Sequence, residues 1–248
     1  MLCFRSYTSE TMKESECGLD RCFLCHHCHE QWKDLIALKK KTLIIKKGRK
    51  VFSEGHPVEG IYFINEGAAK VSMHWGPQKE LLLGFFKPGD VLGFRGIGGD
   101  QFYPVSATAL EDSKVCFVDK SFLETSLIAN TGLAYQMMLL YASELQKAEK
   151  RMRDLAHREV KGRIAAALLD IAEIFGMDEE GSIPISVTRQ DIASYAGTTY
   201  ETVFKFFTEP SIANIISTSG KSIRIIDQRA LQALVKKPDQ AGQELILK

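Results

Sequence analysis

Ile185-Ser186-Val187-Thr188-Arg189-Gln190-Asp191-Ile192-Ala193-Ser194-Tyr195-Ala196-Gly197-Thr198-Thr199-Tyr200-Glu201-Thr202-Val203-Phe204-Lys205-Phe206-Phe207 is the stretch that decides the fold. Thr188 can cap a short helix, with Asp191 three positions on as the shorter partner of a capping box. Ile192 and Ala193 face inward, and Gly197 permits a sharp turn. Thr198 or Thr199 then caps a second helix whose Val203 and Phe206 pack back on the first. Two short helices joined by a glycine turn are the geometry in which the second helix enters the DNA major groove.

The side chains left pointing outward from that second helix are Tyr200, Glu201 and Lys205. A carboxylate accepts from a cytosine amino group, and a lysine donates to guanine. Thr188 and Arg189 belong at the phosphate backbone, where contacts position without specifying, and Thr199 is a further candidate for DNA contact. Downstream, Ser217 to Ile226 reads as a β-hairpin wing with Lys221 at its tip, another phosphate contact. Charge gives little support of its own. Residues 158–237 hold ten Lys or Arg against ten Asp or Glu, and the whole chain carries a net charge of +1.

Upstream, residues 160–175 carry Ile164, Leu168, Ile171 and Phe175 on one helical face, and Gly176 stops them. Before them Ala134, Met138, Tyr141, Leu145, Ala148, Met152 and Leu155 recur by fours and threes. That heptad seam, with charges outside it, predicts a long helix paired with its symmetry mate. The alternative is a helix lying on its own domain. From about 42 to 120 short β-type runs replace helical periods: Thr42–Ile45, Ile61–Asn65, Ala69–His74, Leu81–Phe86, Val105–Leu110 and Lys114–Asp119. Breaks such as Glu66-Gly67 and Pro88-Gly89-Asp90 carry turn chemistry, so an antiparallel roll is expected.

The predicted fold is therefore α+β: an N-terminal antiparallel β-roll, a long dimerisation helix and a C-terminal winged helix-turn-helix. Its expected divisions are a Cys-rich leader at 1–34, the roll at 35–125, the helix at 126–157, the DNA-binding domain at 158–237 and a flexible tail at 238–248. At 45% hydrophobic and 25% charged, the chain has the composition of a soluble globular protein. No apolar run reaches bilayer or signal-peptide length, so a cytoplasmic home with no membrane partner is expected. Nothing in the sequence supplies a substrate pocket with an oriented base, which argues against an enzyme. A ligand-binding module acting through protein partners is the other class open to it.

Five of the six cysteines, at 3, 17, 22, 25 and 28, crowd the leader; the sixth is Cys116. Such crowding in a cytosolic chain points to metal or redox chemistry before structural disulfides. Cys22-x-x-Cys25-x-x-Cys28 is a spacing that iron-sulfur loops use, since short loops let several thiolates converge. Zinc held by these cysteines with His26, His27 or His29 is the rival. Cys25-His26-His27-Cys28-His29 also satisfies the haem-attachment pattern, whose chemistry belongs outside the cytoplasm. A leader whose cysteines bind nothing remains open as well.

Roll, paired helix and winged helix-turn-helix, in that order and at these lengths, resemble the CRP/FNR family of bacterial transcription regulators over about residues 40–230. The words that carry the resemblance are Gly48…Phe52…Glu54-Gly55, Ile61-Tyr62-Phe63-Ile64…Gly67, Pro88-Gly89-Asp90-Val91-Leu92-Gly93 and Thr188-Arg189-Gln190-Asp191-Ile192. The family's recognition helix places a basic residue four after a glutamate, matching Glu201 and Lys205. Two features depart from it: the family usually has Arg where Lys205 stands, and Pro210 should end the helix near Glu209. The resemblance implies a homodimer on a near-palindromic site in double-stranded promoter DNA, working with RNA polymerase.

The family's cyclic-nucleotide branch holds the ligand phosphate with an Arg-Ser pair after a Gly-Glu turn. Here Phe94 stands at the Glu position and Asp100 to Pro104 offers no such pair, so a cyclic nucleotide is expected not to bind. Leu83-Gly84-Phe85-Phe86 and Ala109 to Cys116 instead look like the oxygen-sensing FNR branch, whose 4Fe-4S cluster takes three leader cysteines and one from the roll. By that resemblance the metal ligands are Cys22, Cys25, Cys28 and Cys116, with Cys17 as the alternative. The chain without a cluster, answering to zinc or an unidentified ligand in the roll, is the second reading.

Overall fold

The structure is a computed structural model and describes residues 22–76, 79–99, 101–220 and 222–235. These fall into two compact units, one ending at Ala69 and resuming over Phe86–Met137, the other made of Lys70–Phe85 and the chain from Met138 on. Among the described residues, no helix is long and apolar enough to cross a membrane.

The first unit opens with two helices, α1 (Phe23–His27) and α2 (Glu30–Lys39). The leader is thus helical at its described end, although its sequence carries no sustained apolar period. Next come β1 (Lys41–Ile45), β2 (Lys50–Phe52), β3 (Gly60–Glu66), and, after the excursion into the second unit, β6 (Val91–Leu92), a 3-10 turn at Phe94–Gly96, β7 (Ser106–Ala109) and β8 (Ser113–Asp119). Helix α3 (Lys120–Ala129) closes the unit, capped by the Asp119 carboxylate accepting from the Phe122 N–H at 2.9 Å.

One sheet runs β1-β8-β3-β6, all antiparallel, with Cys116 opposite Thr42 on one side and Phe63 on the other. Residues directly opposite in such a ladder project to the same face, and their sequence neighbours to the other. Phe117 and Tyr62 therefore share the inner face, where rings of Phe52, Tyr62, Phe117 and Tyr103 stand 4.3 to 5.5 Å apart in a chain of stacked and tilted contacts. Ile61, Phe63, Cys116 and Val118 share the outer face, are buried, and lie on the strands that α3 packs against. Gly60 is needed where it stands. A Cβ there would lie 2.0 Å from the Val118 carbonyl oxygen.

Helix α4 (Thr131–His157) spans 27 residues, about 40 Å at 1.5 Å per residue. A break at Asn130 separates it from α3, where the sequence suggested one helix from 126. In the second unit stand the hairpin strands β4 (Ala69–Trp75) and β5 (Lys79–Phe86), then α5 (Val160–Phe175), α6 (Arg189–Ala196), α7 (Tyr200–Thr208), β9 (Ile216–Ser219), β10 (Ser222–Ile225) and α8 (Gln228–Val235). Its core joins Ile164, Leu168 and Ile171 of α5 to Ile192, Val203, Phe206, Ile223 and Leu231, each contributing about 1.5–3 kcal/mol by burial. Helices α5 and α8 approach so closely that a Cβ at Gly162 would lie 2.9 Å from the Leu234 carbonyl.

Candidate DNA interface and cysteine site

The entry to α6 is fixed by a complete capping box. Thr188 Oγ1 accepts from the Asp191 N–H at 3.0 Å, and Asp191 Oδ2 accepts from the Thr188 N–H at 3.0 Å and its hydroxyl at 2.6 Å. Gly197 ends the helix in the left-handed region, φ +62°, a conformation that side chains resist. Thr199, not Thr198, then caps α7 by accepting from the Thr202 N–H. The second helix stops at Thr208, with Glu209 as its cap and Pro210 next.

Val203 and Phe206 bury the inner face of α7, which leaves Tyr200, Glu201, Phe204 and Lys205 exposed. The Glu201 carboxyl is held below its ordinary range by its own N–H, the Thr199 hydroxyl and the Lys205 charge, so it stands ionised as an acceptor. Arg189 Nη2 donates to Thr218 Oγ1 on β9 at 3.4 Å, and its guanidinium lies 5.7 Å from the Phe207 ring. Its buried Nε has no acceptor among the described residues. Thr188, Arg189, Gln190, Tyr200 and Thr218 line a shallow cavity of about 220 Å³ between the helices and the wing. Lys221 lies outside the described residues; its neighbour Gly220 turns the wing at φ +60°.

Of the heptad seam, Met138, Tyr141, Leu145, Ala148, Met152 and Leu155 are exposed on α4 and Ala134 is half-buried. The helix packs on its own chain through Leu133 and Met137 instead.

Cys25 lies inside α1, with Cys22 and Cys28 at its two caps. All three and Cys116 are buried, and none is in a disulfide. Burial first, then the proximity of Cys22, pushes the Cys28 thiol up to about 11. The leader is tied to the start of α4: the His29 N–H donates to Asn130 Oδ1 at 2.9 Å, and Trp32 Nε1 donates to Ser126 Oγ at 3.0 Å. Among the described residues, no three His, Cys, Asp or Glu side chains converge on one metal position. Cys17 lies outside the described residues.

Two family models match the chain, a cyclic nucleotide-binding domain over residues 42–130 and a Crp-like helix-turn-helix domain over 162–234. The fumarate and nitrate reduction regulatory protein of Yersinia pestis is 30% identical over 219 residues, covering 87% of this chain and 85% of that protein. This chain belongs to the CRP/FNR family of transcription regulators. Similarity extends to the CRP-like cAMP-activated global transcriptional regulator of Mycobacterium tuberculosis (strain H37Rv), 28% identical over 187 residues, 75% of this chain and 84% of that one. Among solved structures, FixK2 from Bradyrhizobium japonicum is 25% identical with a TM-score of 0.70, covering 80% of this chain and 98% of that one. As a CRP/FNR regulator the protein binds DNA and is not an enzyme.

One constellation in this CRP/FNR chain was missed by sequence reasoning. Arg151 of α4 donates to the carbonyls of Leu82, Leu83 (2.7 Å) and Tyr195 (2.5 Å), and its guanidinium covers the Tyr195 ring at 4.2 Å. Ser194 donates to the Glu80 carbonyl, and Lys70 meets Asp191. The β4–β5 hairpin is thereby tied to the first helix of the DNA-binding motif. Backbone acceptors leave no trace in a side-chain pattern, so nothing in the sequence marked these residues.

Proposed function

We propose that this CRP/FNR regulator is a cytoplasmic homodimer switched by an oxygen- or redox-labile iron-sulfur cluster held by Cys22, Cys25, Cys28 and Cys116. The observation that carries the reading is the cysteine set itself: four buried thiols outside disulfides, one within the short helix α1, two at its caps and the fourth on the outer face of β8. Thiolates are the donors that a 4Fe-4S cluster takes, one to each iron, and this set supplies four. Bound, the cluster would supply an oxygen-sensitive cross-link between leader and roll.

The chain's own residues carry the rest. His29 and Trp32 hold the leader to Asn130 and Ser126, immediately before α4, so order in the leader bears on the start of the helix whose Met138 to Leu155 seam would pair with a second copy. The expected seam is Ala134, Met138, Tyr141, Leu145, Ala148, Met152 and Leu155. Pairing there would set two α7 helices about one DNA turn apart on a near-palindrome. Tyr200, Glu201 and Lys205 would read bases, while Thr188, Arg189, Thr199 and Lys221 would hold phosphates. A cyclic nucleotide is not expected, because Phe94, buried with the Arg95 guanidinium over its ring, stands where the phosphate-binding turn would carry its glutamate, and no Arg-Ser pair follows.

Anaerobic purification followed by a visible spectrum and iron and sulfide analysis tests the reading. A broad band that bleaches in air, with iron and sulfide in equal amounts, supports it, and Cys116→Ala should abolish the band. Colourless protein after anaerobic reconstitution overturns the cluster and directs the search to zinc or a ligand in the roll.

A further inference from the structure

Phe204 lies outside the buried face that Val203 and Phe206 make on α7, and it stands within the face assigned to DNA. At about 100° per residue, Tyr200, Phe204, Thr208, Glu201 and Lys205 fall in that order around an arc of about 140°, opposite Val203 and Phe206. Phe204 is 47% exposed, and its ring stacks on that of Tyr200 with centroids 6.4 Å apart and planes 21° from parallel. Two rings thus make an apolar plate beside two charges of opposite sign. Such a surface is unfavourable in water and calls for an apolar partner.

We propose that Phe204 is a specificity residue that contacts a thymine C5-methyl in each half-site. The proposal rests on the reading of α7 as the helix that enters the major groove. Of the groups displayed on base edges there, hydrogen-bond donors and acceptors suit Glu201 and Lys205, and the thymine methyl alone suits a phenyl ring. Position on the helix sets which base it meets. Phe204 lies between Tyr200 and Glu201 on the arc, so the thymine adjoins the base pair read by Glu201.

The test uses the full-length protein, prepared both anaerobically and in air, and a site obtained by selection from random duplexes. Each thymine of that site is replaced singly by uracil, which removes only the methyl, and binding is measured at fixed salt. Wild type should lose roughly fourfold in affinity at one thymine per half-site. Phe204→Ala, which removes the contact from both half-sites, should bind the thymine site roughly fifteenfold more weakly and show no difference between thymine and uracil, with its fold retained. Phe204→Leu, still apolar, should keep part of the preference. Uracil tolerated everywhere by wild type, or a uracil penalty undiminished in Phe204→Ala, overturns the proposal. A Phe204→Ala variant whose main change is its state of self-association overturns it too, by assigning the ring to a protein contact. Failure of the underlying reading looks different: Glu201→Ala would keep the full selected preference, or selection would return no preferred sequence in either preparation.

Discussion

Lys70 Nζ lies 2.5 Å from Asp191 Oδ1, while Oδ2 of the same carboxylate closes the capping box on Thr188. One nearly buried side chain therefore starts the first helix of the DNA-binding motif and ties it to β4. Removing one partner of a buried pair leaves a charge without compensation, at about 3–5 kcal/mol. Lys70→Met should destabilise the protein on that scale in urea denaturation. Asp191→Ala should do at least as much, since it also removes the cap. The double variant should be less destabilised than the sum, and strict additivity would show the pair to be uncoupled.

Arg151 makes the companion prediction. Its planar fork reaches three carbonyls and a ring face at once, which a lysine ammonium cannot reproduce. Arg151→Lys should cost about 1.5–3 kcal/mol and speed amide hydrogen exchange in residues 79–86 and 189–196 above the rest of the second unit. Exchange raised uniformly would mean that Arg151 serves overall stability and not the hairpin tie.

How far the sequence spoke depended on the range of the interaction. The capping of α6 by Thr188 and Asp191, the turn at Gly197 and the stop before Pro210 are local, and each was legible. Strands β3, β4, β5 and β8 announced themselves as apolar runs, whereas β2 and β6, at three and two residues, are too short to carry a period. Leader helices α1 and α2 were hidden for a related reason. Five residues cannot form an amphipathic stripe, and α2 buries only Ile36 fully, with Leu38 exposed. The cysteines' residue types were readable, but their common burial was not. Phe204 was passed over because an apolar residue on a helix is first assumed to face the core.

The start of α3 gives a pH prediction. The Phe122 N–H and Ser121 hydroxyl, with Lys39 nearby, hold the Asp119 carboxyl below its ordinary value. A depressed carboxylate contributes stability above the unfolded-state pKa of about 3.9 and loses it as pH falls through the folded value. Asp119→Ala should therefore cost about 1 kcal/mol at neutral pH, and the gap to wild type should close progressively below about pH 4. A gap that persists in acid would place the effect in packing and not in the cap charge.

Glu201, Lys205 and Arg189 should separate in a salt titration of DNA binding. Glu201 is fully exposed and its carboxyl is held low, so it is ionised throughout the neutral range and repels phosphates wherever the protein lands. Glu201→Ala should then strengthen binding to random DNA while relaxing discrimination at one base pair, with no pH dependence between 6 and 8. Lys205→Ala should lose discrimination at a neighbouring pair and weaken random binding slightly. Arg189, held beside the wing by Thr218 and the Phe207 ring, should act on phosphate alone. Arg189→Ala should weaken selected and random duplexes by the same factor and lower the slope of log affinity against log salt by about one. Loss confined to the selected sequence would instead make Arg189 a reader of bases, and α7 would then share that task with the start of α6.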